Sequence, residues 1–193
     1  MRLIIAVVII GSIIWLYHYV RMAVYVDTAA PFLERLPKGE LAQEEVTNLL
    51  ANPRVKAFVQ MYGRLTPESV ETHIDNLYAD TLYFNDTFHT FEDRTALRHY
   101  FTSLADGATV VVEPIAAMEK GDELWLQWTM RMQFEVAGKP FDMTSVGISQ
   151  LRFNEQNQIV LHQDFWDGVG GFYGNLPLVG SMIGQVRKGL GAH

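Results

Sequence analysis

Near the end of the chain, in Leu161-His162-Gln163-Asp164-Phe165-Trp166-Asp167, an imidazole, a carboxylate and an indole occupy alternate positions. On an extended strand His162, Asp164 and Trp166 share one face, so two proton-carrying groups stand beside an aromatic wall. The opposite parity, with Gln163, Phe165 and Asp167 turned inward, is disfavoured because Trp166 is buried more readily than Asp167. A second carboxylate, Asp86, follows Leu82 and Phe84 on one face of a short strand. It has two readings: a general base at a pocket mouth, or a turn residue in Asn85-Asp86-Thr87, a composition that turns favour. Tyr62 ends the helical run Val55, Phe58, Val59, Tyr62 on a buried face. There a phenol donates to a ligand oxygen or to any convenient buried acceptor. Together such groups move a proton between carbons, one carboxylate carrying it while placed donors hold the oxygen that gains charge. This chemistry needs no cofactor. His162 and Asp164 supply two metal ligands at most, so no metal site is expected.

These side chains need rigid elements to aim them. A short helix is expected over Glu40–Ala51. Asn52-Pro53 and Thr66-Pro67 are helix starts, each a capping side chain followed by proline at the first helical position. Val70, Ile74, Leu77 and Tyr78 line the second of these helices, and Asp93 caps a third with Leu97, Tyr100, Phe101 and Leu104 on its apolar side. A short strand covers Thr81–Asp86. After Gly107 the period becomes two, and four strands follow with turns at Lys120–Asp122, Ala137–Pro140 and Asn154–Asn157. In the clearest of them Leu124, Leu126, Trp128, Met130, Met132, Phe134 and Val136 alternate with mostly polar residues. Helices first and hairpin-linked strands afterwards make an α+β fold, three helices on one face of a curved antiparallel sheet that encloses a cone with a pocket.

Composition removes several classes of function. The chain has no cysteine, which excludes disulfides, thiolate metal sites and a cysteine nucleophile. The net charge of −7 and the lack of a basic run argue against nucleic acid as a partner. No serine-hydrolase elbow, phosphate-binding loop, zinc-protease helix or dinucleotide fingerprint is present.

Leu3–Val20 carries no Asp, Glu, Lys or Arg, and as a helix it reaches about 27 Å, close to the thickness of a bilayer core. Trp15, Tyr17 and Tyr19 before Arg21 suit a headgroup boundary. Thr28-Ala29-Ala30 is a poor cleavage site with Pro31 behind it, so a single-pass anchor is expected rather than a removed signal peptide. Arg21, Arg35 and Lys38 against Arg2 lean the body toward the cytoplasmic side. The expected organisation is an anchor at 1–26, a connector at 27–52, a domain at 53–174 and an apolar tail at 175–193. With Arg187 and Lys188 late in it, the tail reads as a short amphipathic helix for the body, a partner subunit or the membrane surface.

With the order of elements, the segments LYADTLYFND, EDRTALRHYF, ISQLRFNEQNQIV and HQDFWDG resemble the nuclear transport factor 2-like superfamily, in its SnoaL-like and ketosteroid-isomerase-like branch, over residues 53–170. The resemblance puts Tyr62 and Asp86 where ketosteroid isomerase has its oxyanion-hole tyrosine and general base, and Ser149 where that enzyme has a second carboxyl. Asp164 looks like the last-strand aspartate that SnoaL-type cyclases use as acid and base. The Asp-Arg-Asp relay of limonene epoxide hydrolase is not evident, because Arg131 falls on a polar face. What this implies is a membrane-tethered, cofactor-independent isomerase or cyclase for a small hydrophobic carbonyl or enol compound. Asp86, Asp164 and Tyr62 would be catalytic, with Ser149, His162, Trp166 and Tyr78 around the ligand. Beside it stand a non-catalytic module for a hydrophobic ligand or a partner protein, and an assembly role. A homodimer is compatible with either, since curved sheets of this kind often pair.

Overall fold

The helix starts form as their side chains require. The Asn52 carboxamide accepts hydrogen bonds from the amides of Arg54 and Val55, and Pro53 fills the first helical position. Thr66 and Ser69 make a reciprocal capping box, and Asp93 accepts from the Ala96 amide. Each such cap stabilises its helix by about 1 kcal/mol.

The computed structural model describes residues 29–136, 138–176 and 179–191, together with Ser12. Besides helical turns of three or four residues, its helices among the described residues are α1 (Glu40–Ala51), α2 (Pro53–Tyr62), α3 (Pro67–Leu77), α4 (Arg94–Gly107) and α5 (Val179–Gly189). Its strands are β1 (Tyr78–Asn85), β2 (Thr90–Asp93), β3 (Ala108–Lys120), β4 (Glu123–Val136), β5 (Lys139–Phe153) and β6 (Ile159–Trp166). The chain divides into two compact units, the larger being Phe32–Trp166 and the smaller including residues 167–191. Apart from Ser12, the apolar segment Leu3–Val20 lies outside the described residues; among those described, no helix is long and apolar enough to cross a membrane.

In the larger unit one curved, unclosed sheet runs in the order β2-β1-β6-β5-β4-β3. This corrects the expectation of a wholly antiparallel sheet. β3 to β6 are antiparallel neighbours, but β1 lies parallel to β6, with Phe84 beside His162 and Asn85 beside Gln163. Alternation reports which face a residue takes and carries no information about which strand lies alongside. β2 was not expected from the sequence: at four residues with only Phe91 half-buried, it has no alternation to read. Tyr78, expected on the helical face of α3, instead opens β1 with extended backbone angles.

α2, α3 and α4 cover the inner face of this sheet. Val55, Phe58, Val70, Ile74, Leu97 and Phe101 join Phe84, Leu124, Leu126, Leu151 and Ile159 in one core. Trp128 lies in the same core, and the residue that makes room for it is Gly147 of β5. A β-carbon on Gly147 would stand 2.4 Å from the Trp128 ring. Gly147→Ala is therefore expected to lower stability by about 1–3 kcal/mol, the usual cost of overpacking. A denaturant midpoint that falls with an unchanged slope would show it.

Candidate active site

Three strands and two helices aim the polar groups of this unit at one cavity. β6 supplies His162, Asp164 and Trp166, all on its inner side; β5 supplies Ser149; the end of β1 supplies Asp86; α2 and α4 supply Tyr62 and Tyr100. The remaining wall is apolar, including Phe58, Phe84, Phe101, Trp128, Met130 and Met132. Among the described residues no lysine or arginine lines it. The cavity volume is about 80 Å³, well under the roughly 300 Å³ at which drug-sized ligand sites begin, so it suits a small compound or one end of a longer one. A larger groove of about 800 Å³ between residues 33–50 and β3 lies apart from these groups.

A buried chain of hydrogen bonds runs behind the cavity wall. The Tyr62 and Tyr78 hydroxyls are 2.5 Å apart, and the Tyr78 hydroxyl is 2.6 Å from His162 Nδ1. His162 Nε2 lies 2.8 Å from Asp164 Oδ1, which also accepts from Ser149 Oγ at 2.5 Å. Trp128 Nε1 donates to Ser149 Oγ at 2.8 Å, fixing that hydroxyl. The donors match the acceptors when Nε2 of a neutral His162 carries its proton: Nε2 donates to the carboxylate, Nδ1 accepts from Tyr78, and Tyr78 accepts from Tyr62. Burial, together with neighbouring Tyr78 and Asp164, pushes the Tyr62 pKa well above the ordinary tyrosine value. Burial does the same to Tyr78, so both remain phenols.

The two aspartates differ in what their oxygens are given to do. Asp86 Oδ1 accepts from the amides of Phe88 and His89, and Tyr100 donates to Oδ2. The side chain builds the turn and also lines the cavity. The turn is strained, since Thr87 sits at φ 76°, a rare conformation for a β-branched residue that costs roughly 1–3 kcal/mol. Trp166 Nε1 holds it by donating to the Asp86 carbonyl and to Thr87 Oγ1. In Asp164 both contacts fall on Oδ1, and Oδ2 takes none among the described residues. Its side chain keeps 15% of its accessibility. Asp164 therefore has a carboxylate oxygen to offer a ligand, and Asp86 has neither oxygen unengaged.

The cavity brings together six of the seven site residues expected from the sequence: Tyr62, Asp86, Ser149, His162, Asp164 and Trp166. Tyr78 does not line it, standing one step behind as the link between Tyr62 and His162. Tyr100 went unnoticed as a polar group because it fits the apolar spacing of α4. Its hydroxyl beside Phe101 on an inward face was the available signal. Burial first, then the charge and hydrogen bond of Asp86, raise its pKa and keep it a phenol. Arg131 stays outside the cavity: it pairs with Asp142 at 2.5 Å and holds that carboxyl down at about 2. Among the described residues no group of three or more His, Cys, Asp and Glu could hold a metal ion.

The family model of the SnoaL-like domain matches residues 55–162, more than half of the chain. This protein belongs to the SnoaL-like domain family. Its fold is that of the nuclear transport factor 2-like superfamily. A similar solved structure is an LEH-like epoxide hydrolase from M. tuberculosis, 16% identical, with 73% of this chain and 96% of that one aligned at a TM-score of 0.53. Two Shewanella proteins assigned to the SnoaL-like polyketide cyclases align comparably. The one from S. denitrificans is 11% identical over 72% of this chain and 98% of its own, at a TM-score of 0.54. The one from S. putrefaciens is 11% identical over 79% and 96%, at 0.53. At these identities the likeness is one of fold. No curated protein matches the chain. The chemistry of this SnoaL-like domain therefore has to be argued from its own cavity.

Proposed function

We propose that this SnoaL-like domain is a cofactor-independent acid/base enzyme that moves a proton on a small carbonyl or enol compound, with Asp164 as the base. The observation that carries the reading is the asymmetry of Asp164, one oxygen fixed by His162 and Ser149 and the other unbonded in an apolar cavity. Oδ2 removes a proton from the carbon next to the carbonyl, and the C–H electron pair becomes that of an enolate. Return of the proton to another carbon completes an isomerisation with no change of oxidation state. Tyr62 and Tyr100 are the phenols that line the cavity with Asp164, and turned from their resting partners, Tyr78 and Asp86, they would donate to the enolate oxygen. The small volume supports a compact substrate rather than a steroid-sized one.

A binding module that holds a small apolar compound without turnover is favoured by one observation: Tyr100 and Trp166 already give their protons to protein acceptors. Proton exchange in D2O separates the two. An acid/base enzyme replaces the α-hydrogens of small cyclic ketones, enones or β-keto esters with deuterium, which ¹H NMR follows without knowledge of the product. Absence of exchange across such a set, with binding retained, would leave the module.

The second part of the proposal is that residues 3–20 tether the domain to a membrane. The full chain is expected to stay with the membrane pellet after an alkaline carbonate wash and to leave it on detergent. Release by carbonate alone would remove the tether.

A further inference from the structure

The smaller unit contains a helix packed the wrong way round for a water-soluble surface. In α5, Val179, Met182, Ile183, Val186 and Leu190 just beyond it recur at spacings of three and four and so form one stripe. Met182 and Val186 are each 63% exposed and Leu190 82%. The opposite side, Gly180 and Ser181, is buried, and a β-carbon on Gly180 would stand 2.1 Å from the Gly174 carbonyl. The helix therefore packs its small side inward and turns its apolar side outward. Val169 and Tyr173 add to the same stretch, and among the described residues six of the eleven exposed large apolar ones lie between positions 169 and 190. Such a concentration marks an interaction surface.

Charge selects the occupant. In a chain of net charge −7, no Asp or Glu follows Asp167, and Arg187 and Lys188 form no ion pair among the described residues. An apolar stripe with cations in its last turn, in a stretch without acids, fits the interface of an anionic lipid bilayer, where side chains sink among the headgroups and cations stay at the phosphates. A single short amphipathic signal gives only reversible attachment, and stable attachment takes two. We infer that α5 lies on the anionic membrane surface as a second contact, beyond and distinct from any tether at residues 3–20.

Because the chain has no cysteine, single labels report single sites. Met182→Cys, Val186→Cys, Ser12→Cys and Glu155→Cys variants of the full chain, each carrying an environment-sensitive fluorophore, are reconstituted in vesicles of phosphatidylcholine with or without phosphatidylglycerol. The expected result is a blue shift at 182 and 186 that doxyl-labelled lipid quenches, greater with phosphatidylglycerol, and none at 155 on its exposed turn. Arg187→Glu with Lys188→Glu removes the preference for phosphatidylglycerol. The label at 12 reads the tether separately. Water-like emission at 182 and 186 while 12 is buried in lipid overturns the inference and spares the tether. A shift that appears without lipid and grows with protein concentration also overturns it, assigning the stripe to a second copy of the chain.

Discussion

Asp164→Asn is expected to slow α-carbon exchange by about 10²- to 10⁴-fold, the usual contribution of a general base. The substitution is nearly isosteric, and the new Oδ1 still accepts from His162 Nε2 and Ser149 Oγ. The cavity should keep its shape and the variant its stability, so the loss falls on the rate of proton removal and not on binding. Asp86→Asn is the internal control. Its Oδ1 continues to accept the Phe88 and His89 amides, and its amide group can donate to the Tyr100 oxygen where the carboxylate accepted from it. If Asp164 is the base, this second variant loses less than about tenfold. A larger loss at Asp86 than at Asp164 would exchange the roles of the two aspartates. Equal exchange by all three proteins would mean that neither carboxylate is the base.

The second large effect concerns stability. His162 is 1% exposed among Phe58, Tyr62, Tyr78 and Phe84, the nearest ring being that of Phe84 at 4.9 Å between centroids. Phenylalanine fits such surroundings by shape, but His162→Phe takes one partner from the Tyr78 hydroxyl and one from the Asp164 carboxylate. Leaving buried groups short of partners in this way costs about 2–5 kcal/mol. For a unit of this size that lowers Tm by roughly 5–15 °C. Adding Tyr78→Phe alone only passes the loss on to Tyr62, whose hydroxyl bonds that of Tyr78; adding Tyr78→Phe and Tyr62→Phe together removes both hydroxyls and should recover part of the loss, since removing all partners of a buried bond costs less than removing one. A Tm unchanged by His162→Phe would mean that the chain of bonds through Nδ1 and Nε2 contributes nothing to folding.

Most of what positions these groups could be read in the residues. Asn52, Thr66 and Asp93 announced their helices, because a cap is a local bond between a side chain and amides two or three residues on. That His162, Asp164 and Trp166 share a face followed from alternation, and that the face is the inner one from the burial preference of Trp166 over Asp167. Pairing did not follow, because the β1 and β6 ladder joins Phe84 to His162 across 78 positions and leaves no local trace. The same limit hid how the polar groups are shared. Ser149 was placed beside the ligand by resemblance, yet its proton goes to Asp164 and its oxygen receives Trp128. Tyr78 was read as helical because Leu77 and Tyr78 continue the spacing of α3, although the backbone has already turned extended. Asp86 kept two readings in the sequence and keeps both features in space.

The parallel ladder also dates the site within folding. A hairpin can close as soon as its two strands exist, but β1 waits for the final strand, with α4 and the whole meander in between. Such long-range closure comes with a high loop entropy and is slow. During synthesis Tyr62, Asp86 and Tyr100 are in place long before His162 and Asp164 emerge, so the carboxylate and its imidazole meet the phenols only when the larger unit is complete. A chain stopped before Leu161 lacks His162 and Asp164 and most of the strand that joins β1 to the meander. With Asp164 as the base, proton exchange would therefore report completion of the larger unit, the last step being the arrival of β6.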